Sequence, residues 1–148
     1  MTEESTIHRI HSERYGELEV SEQQIFHFEQ GLVGLQDIRR YALIGLDDTP
    51  FYIMHALDQQ LSFILLPAEK AVSDYGFTID QETVDLLGVS KPEEVAIMLI
   101  VNIVDDWVHV NLKAPLLFAL ERRTAVQYVV HDQNFPLRYP LPRKKKEA

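Results

Sequence analysis

The stretch that most constrains the fold is Val95–Leu120. Val95–Val104 is an apolar run rich in β-branched residues and broken only by Asn102. It is too short to span a bilayer, and its composition predicts a continuously buried central strand. After Asp105-Asp106 the sequence Trp107–Leu112 alternates apolar and polar residues, which predicts a partner strand with one wetter face. We therefore predict a long β-hairpin at the centre of a small β-rich domain.

The remainder of the chain also favours short strands. The predicted strands are Ile7–Ile10, Leu18–Val20, Ile25–Phe28, Tyr41–Leu46, Phe51–Leu57, Leu61–Leu66, Leu116–Leu120 and Ala125–Val130. A helix is predicted at Asp80–Leu87, with Asp80 as its N-cap and Gly88 just after its end. The capping-box spacing of Ser90–Glu93 predicts one further helical turn, and the prolines of Phe135–Pro142 predict an extended segment.

These elements predict a mainly β fold: a small antiparallel β-barrel or sandwich with one or two short helices. We expect a single domain over residues 1–148, with an ordered core at about 7–142 and a basic tail at 143–148. The N-terminal sequence lacks a basic region followed by an apolar stretch, so no signal peptide is indicated and we expect a cytoplasmic protein. The charges and prolines favour a monomer, although an uncovered edge strand would permit pairing.

Charge restricts the class of partner. The net charge of the whole chain is −9. The rest of the chain is more acidic than this value shows, because the tail Arg143–Lys146 is basic and Met1–Pro142 contains ten basic and twenty-two acidic residues. Such a body repels nucleic acid and attracts basic proteins, so we expect no direct nucleic-acid binding. The tail has no apolar anchor, so a solvated end is favoured over membrane contact.

No set of residues indicates catalysis. Cysteine is absent, and no serine stands in a Gly-x-Ser-x-Gly sequence. His8 and His11 lie three residues apart, but the other four histidines form no second cluster at ligand spacing, so we expect neither an enzyme nor a metal or cofactor site. The acidic pairs Glu17/Glu19 and Asp47/Asp48 are explained by a solvated strand face and a turn, with a docking patch as the alternative. Core packing likewise explains the aromatic residues, which could otherwise form a binding platform: Phe26, Phe28, Phe51 and Trp107.

Six short segments, in order along the chain, resemble the FliW family of flagellar assembly factors. They are Tyr15–Val20 (YGELEV), Phe28–Gly34 (FEQGLVG), Arg39–Tyr41 (RRY), Pro50–Tyr52 (PFY), Asn111–Leu116 (NLKAPL) and Phe135–Leu141 (FPLRYPL). The resemblance extends from about Ile7 to Pro142, and the Asn-Leu-Lys-Ala-Pro and Pro-Leu-Arg elements are the most specific. The family often has Pro where Val33 stands and His where Tyr139 stands.

The resemblance implies a β-barrel-like fold and two protein partners. One is flagellin, held before export; the other is CsrA, an RNA-binding repressor of flagellin translation that the protein binds and antagonises once flagellin has left. On this basis Asn111, Lys113, Pro115 and Arg138 are expected to be mainly structural. A nucleic-acid-binding barrel and a small ligand-binding barrel remain the alternatives.

The two partners lead to two sets of candidate residues. An acidic body suits an RNA-binding protein, whose surface must be basic, and we hypothesise that clustered acids face CsrA. These are Glu13, Glu17, Glu19, Asp47 and Asp48. The amphipathic terminal helices of flagellin need an apolar groove, and the four aromatic residues above are the candidates for it.

Overall fold

The described part of the chain, residues 7–142 of a computed structural model, is built mainly from short β-strands. The strands are β1 (Ile7–Ser12), β2 (Gly16–Ser21), β3 (Ile25–Phe28), β4 (Arg40–Gly45), β5 (Tyr52–Ala56), β6 (Ser62–Pro67), β7 (Val95–Val104), β8 (Trp107–Val110), β9 (Leu116–Ala119), β10 (Thr124–Gln127) and β11 (Tyr139–Pro140). The helices are α1 (Ala68–Ala71) and α2 (Gln81–Leu87), and single 3-10 turns lie at Glu22–Gln24 and Pro92–Glu94. The basic tail predicted at 143–148 lies outside the described residues.

Seven of these strands close into a barrel in the order β7-β6-β5-β4-β3-β10-β9, with β9 pairing back onto β7. The pairings are antiparallel except that between β3 and β10, which is parallel. Closure pairs each of the seven strands with a neighbour on both sides over at least part of its length. The prediction of a mainly β, antiparallel barrel with short helices is therefore confirmed, and the sandwich alternative is wrong.

Local sequence signals explain the turns and the longer helix. The Asp80 carboxylate accepts a hydrogen bond from the Thr83 backbone N–H at 2.9 Å, and Gly88 ends α2 with a φ of 73°. Asp105 and Asp106 have φ angles of 53° and 64°. A type I′ turn, the common two-residue connection of a β-hairpin, requires a positive φ at both of its central residues. These three predictions are confirmed.

Three details of the secondary structure correct the sequence-based prediction. The short helix α1 follows Pro67 and was not predicted. In the turn before β7 the capping carboxylate belongs to Glu94 and not to Glu93; it accepts from the backbone N–H groups of Ser90 and Lys91 at 2.8 and 3.1 Å. The Pro-rich end is extended as predicted, but it also forms β11, which pairs with β8.

The barrel interior is filled by aromatic and aliphatic side chains. Phe28 packs edge-on against Tyr41 and Phe118, with ring centroids 5.3 and 5.8 Å away. The Tyr41 hydroxyl is buried without a hydrogen-bond partner among the described residues, and burial raises the pKa of Tyr41 to about 12. Smaller apolar clusters lie under α2, under the C-terminal segment and under the β1–β2 hairpin.

Strand β7 is not buried along its whole length, so the prediction of continuous burial is wrong. Met98 and Leu99 are buried, whereas Asn102 is exposed and Ile103 keeps 68% of its surface exposed. The reason is that β9 and β6 flank the first part of the strand, while the last part pairs only with β8. Among the described helices, none is both long and apolar enough to cross a membrane.

Candidate functional site

The β1–β2 hairpin presents the acidic pair predicted from sequence. Glu17 and Glu19 lie on an exposed face of β2, and each carboxylate contacts a basic side chain across the hairpin. Glu17 contacts His11, and Glu19 lies 3.4 Å from the Arg9 guanidinium. Exposed ion pairs of this kind add little to stability. Because Arg9 lies beside Glu19, this face is less anionic than the sequence of β2 suggests.

A buried histidine holds the hairpin against the barrel. His55 Nδ1 donates to the Ala56 carbonyl at 2.8 Å, so its Nε2 accepts from the Ser12 hydroxyl at 3.1 Å. The Ser12 oxygen in turn accepts from the backbone N–H groups of Arg14 and Tyr15 at 3.2 and 2.9 Å. Sequence reasoning missed this network because it joins residues 43 positions apart and has no local signal.

Two further contacts fix the position of the hairpin. The Gln60 side chain accepts from the Glu13 backbone N–H at 2.9 Å and donates to the His11 carbonyl at 2.6 Å. His8 Nε2 donates to the Glu22 carboxylate at 2.8 Å, and this hydrogen bond lowers the pKa of Glu22. The acidic residues of the hairpin are therefore held in a defined place beside the barrel.

A groove of about 640 Å³ opens on the barrel wall between β6 and β7. We call it the β6–β7 groove. Its apolar lining includes Leu46, Phe51, Phe63, Ile64, Val101 and Ile103, and its one basic lining residue among those described is Arg14. The volume is in the range of about 300–1,000 Å³ typical of ligand pockets.

Exposed carboxylates stand close in the chain to residues that line this groove, and we call them the acidic rim. Glu13 precedes the lining residue Arg14, Asp47-Asp48 follow the lining residue Leu46, and Asp105-Asp106 follow the end of β7. Three of the predicted acids, Glu13, Asp47 and Asp48, are thus exposed and adjacent in the chain to lining residues of one groove. Glu17 and Glu19 lie on the hairpin.

The four aromatic candidates do not form one platform, so that alternative is wrong and core packing accounts for two of them. Phe28 is 0% and Phe26 is 4% exposed, because both point into the barrel. Phe51 lines the β6–β7 groove, and Trp107 is 38% exposed with its Nε1 donating to the Leu141 carbonyl at 2.7 Å.

A second cavity, of about 600 Å³, lies beside α1 and is unrelated to the acidic rim. Phe26, Leu43, Tyr52 and Val72 are among its lining residues. Phe26 is thus the only one of the four aromatic candidates to reach this cavity within the described chain.

The Asn-Leu-Lys-Ala-Pro element has structural contacts. The Asn111 side-chain oxygen accepts from the backbone N–H groups of Lys113 and Ala114, both at 3.0 Å. The carbonyls of Lys113 and Pro115 accept from the chain that follows β10, at 2.8 and 2.9 Å. These contacts order the passage from β8 to β9, whereas Arg138 is exposed near β11.

The site offers surfaces for binding and shows no arrangement suited to metal chemistry. Over residues 7–142 no three His, Cys, Asp or Glu side chains are placed to hold a metal ion. An apolar groove with an acidic rim can bind a segment that is apolar in the middle and basic at its ends.

Comparison with known proteins identifies the family. The family model for FliW protein matches residues 9–141. The flagellar assembly factor FliW of Caldicellulosiruptor saccharolyticus is 34% identical over 135 residues, covering 89% of each chain. That of Carboxydothermus hydrogenoformans is 35% identical over 141 residues, covering 93% of this chain and 91% of its own.

The fold agrees with this assignment. A crystal structure of the flagellar assembly factor FliW superposes with a TM-score of 0.83 at 27% identity, covering 93% of this chain and 99% of that one. The resemblance found in the short sequence segments is therefore confirmed, and the chain belongs to the FliW family of flagellar assembly factors.

Proposed function

We propose that this protein is a non-enzymatic regulator in the cytoplasm, where it binds flagellin and, when free of it, binds and antagonises CsrA. The observation that carries the proposal is the match to the FliW family over residues 9–141. Release of flagellin by export frees the protein for CsrA, and translation of flagellin then resumes. The switch needs only mass action between two competing complexes. The protein acts as a monomer and contacts neither nucleic acid nor membrane.

The charge of the protein supports a basic partner such as CsrA. Residues 7–142 contain twenty acidic and ten basic residues, and the exposed carboxylates of the acidic rim are adjacent in the chain to lining residues of one groove. A protein that binds RNA presents a basic surface, and opposite charges accelerate and orient association. We assign Glu13, Asp47 and Asp48 to the CsrA-facing surface, with Glu17 and Glu19 at its edge on the hairpin.

The apolar residues beside this surface support competition by flagellin. Phe51 lines the β6–β7 groove and follows Asp47-Asp48 in the same turn, and Trp107 lies exposed at the start of β8. An amphipathic helix of flagellin binds through an apolar stripe, and Phe51 with the other apolar side chains of the groove offers a surface for one. Because Phe51 adjoins the acids assigned to CsrA, occupation by one partner excludes the other. Phe26 and Phe28 are buried in the barrel and are not assigned to this surface.

Calorimetric titration tests the proposal. We expect purified CsrA to bind the protein, and saturating flagellin to abolish that binding. Replacing both Asp47 and Asp48 by Asn should weaken CsrA binding by about tenfold, since two charges facing a basic partner are lost. The matched control is Glu82→Gln with Asp85→Asn on α2, which removes the same charge elsewhere and should leave binding unchanged.

Two results would contradict the proposal. CsrA binding that persists unchanged in saturating flagellin would remove the feedback switch. Absence of binding to both proteins would reject both partners for this member of the family.

A further inference from the structure

Strands β6 and β7 separate before either of them ends. Their antiparallel ladder stops at the pair Leu65–Ile100. Beyond it β6 extends back to Ser62, still paired with β5, and β7 continues to Val104, still paired with β8. Each strand is thus anchored on one side and lacks a strand neighbour on the other, within the described chain. The β6–β7 groove lies between these two open sides.

Hydrogen-bond alternation shows which groups of β6 face the groove. Successive residues of an antiparallel strand direct their N–H and C=O groups to opposite neighbours. The Ala56 N–H donates to the Leu61 carbonyl at 2.9 Å, so Leu61 and every second residue after it point toward β5. Ser62 and Ile64 therefore point toward β7. Ile64 is next to the last pair of the ladder, and Ser62 faces the open groove.

The same alternation assigns the groups of β7. The Asn111 N–H donates to the Ile100 carbonyl at 3.0 Å, so Ile100 and every second residue after it point toward β8. Val101 and Ile103 point toward β6. A continued ladder would pair Ile103 with Ser62, but no such pair exists. The backbone N–H and C=O groups of Ile103 and Ser62 are consequently directed into the groove.

Open strand edges bind extended chains by adding a strand, with backbone hydrogen bonds for affinity and side-chain pockets for specificity. Here the pockets are apolar, lined by side chains such as Phe51, Phe63 and Val101. The acidic rim is adjacent in the chain to lining residues, and Arg14 is the single basic lining residue of the described chain. This combination selects apolar side chains that enter the groove and cationic side chains that face the acidic rim, and the two kinds alternate in an extended segment because successive side chains point to opposite sides.

We propose that the β6–β7 groove docks an extended segment of a partner protein, in which apolar residues alternate with Lys or Arg, by strand addition between Ser62 and Ile103. A strand occupies about 4.8 Å between neighbours, and a short segment suffices because the open sides are only a few residues long. The charge argues against a second copy of this chain as the occupant, because the two acidic rims would then repel. The inference goes beyond the proposed function, since it concerns the backbone of the groove and is tested with neither flagellin nor CsrA.

The test uses a fluorescein-labelled peptide of sequence KVKVTVK and the complete protein. We expect saturable binding by fluorescence anisotropy, with amide NMR shifts concentrated at Ser62, Ile64 and Ile103. The same peptide N-methylated at alternate residues keeps its charges and side chains but loses backbone donors, and it should bind about tenfold more weakly. The peptide EVEVTVE should not bind.

A pair of variants tests the role of the protein backbone. Ile103→Pro removes the N–H directed into the groove, and the ladder to β8 does not use that N–H. Ile103→Ala also removes the isoleucine side chain but keeps the backbone N–H. We expect Ile103→Pro to bind KVKVTVK about three- to tenfold more weakly than Ile103→Ala does.

Three outcomes would overturn the inference. They are the absence of binding by KVKVTVK, binding of the N-methylated peptide as tight as that of the parent, and NMR shifts that fall outside the groove. The N-methylated peptide is measured on the unaltered protein, so the inference stays testable even if Ile103→Pro fails to fold.

Discussion

The two halves of β7 have similar apolar sequences and different surroundings. Val95–Ile100 closes the barrel, lies between β6 and β9, and contains the buried residues Met98 and Leu99. Val101–Val104 continues beyond the barrel as an arm paired with β8 and exposes Ile103. Apolar composition therefore shows that a strand forms, but burial depends on which neighbours reach each of its sides.

The arm remains ordered because the C-terminal segment packs along β8, the second strand of the arm. Tyr139 pairs with Val110, and the Leu141 N–H donates to the Val108 carbonyl at 3.0 Å. An isolated two-stranded hairpin is only marginally stable in water, so this third strand matters. The arm can thus keep one side of β7 open to the groove.

The largest expected effect separates the two halves directly. Leu99→Ala leaves a cavity in the buried half and should lower the free energy of unfolding by about 2–5 kcal/mol. Ile103→Ala in the exposed arm should change it by no more than about 0.5 kcal/mol. Urea unfolding monitored by circular dichroism measures both, and equal losses would show that the arm is buried in solution.

The turn that leads from the arm to the closed barrel should give the next largest effect. Asn111→Ala leaves the N–H groups of Lys113 and Ala114 without their acceptor, at a cost of about 1–3 kcal/mol in the free energy of unfolding. Asn111→Asp retains an oxygen acceptor and serves as the control in the same urea titration. A loss as large in Asn111→Asp would assign the effect to something other than these hydrogen bonds.

Within the buried barrel one polar group should be dispensable. Tyr41→Phe removes a hydroxyl that has no partner among the described residues, so the free energy of unfolding should stay constant or rise by up to about 1 kcal/mol. Tyr128→Phe is the matched control, because its hydroxyl donates to the Thr78 carbonyl at 3.1 Å and its removal should destabilise. Thermal unfolding compares them; clear destabilisation by Tyr41→Phe would mean that its hydroxyl has a partner in solution.

The smallest expected effect concerns a second exposed element, the β1–β2 hairpin. The pKa of Glu22 lies below its usual value of 4.5 because His8 donates to its carboxylate. A lowered folded-state pKa contributes stability that is present above the unfolded-state pKa and is lost as the pH falls through the folded-state pKa. The urea midpoint should therefore decrease more between about pH 6 and about pH 3 for the unaltered protein than for Glu22→Gln. An equal decrease of the urea midpoint in the two proteins would contradict the hydrogen bond between His8 and Glu22.

Much of the fold followed from the sequence, whereas the candidate site followed only in part. Strands β1 to β10 were predicted to within a few residues, since alternation and turn residues mark them locally. The acids Glu13, Asp47 and Asp48 were predicted as a group, but their common groove required the folded chain. Phe26 and Phe28 were candidates for contact and proved to be core residues, because an alternating pattern does not say which face of a strand turns inward.

The sequence by itself determined the features that depend on adjacent residues: the cap at Asp80, the end of α2 at Gly88 and the turn at Asp105-Asp106. Backbone preferences and the reach of short side chains set these features within a few residues. Only the tertiary structure decided that β9 closes the barrel on β7, that β10 runs parallel to β3, and that β6 and β7 part beyond Leu65 and Ile100. Those pairings join distant parts of the chain, and their free energy depends on which strand edges meet in space, which no local pattern specifies.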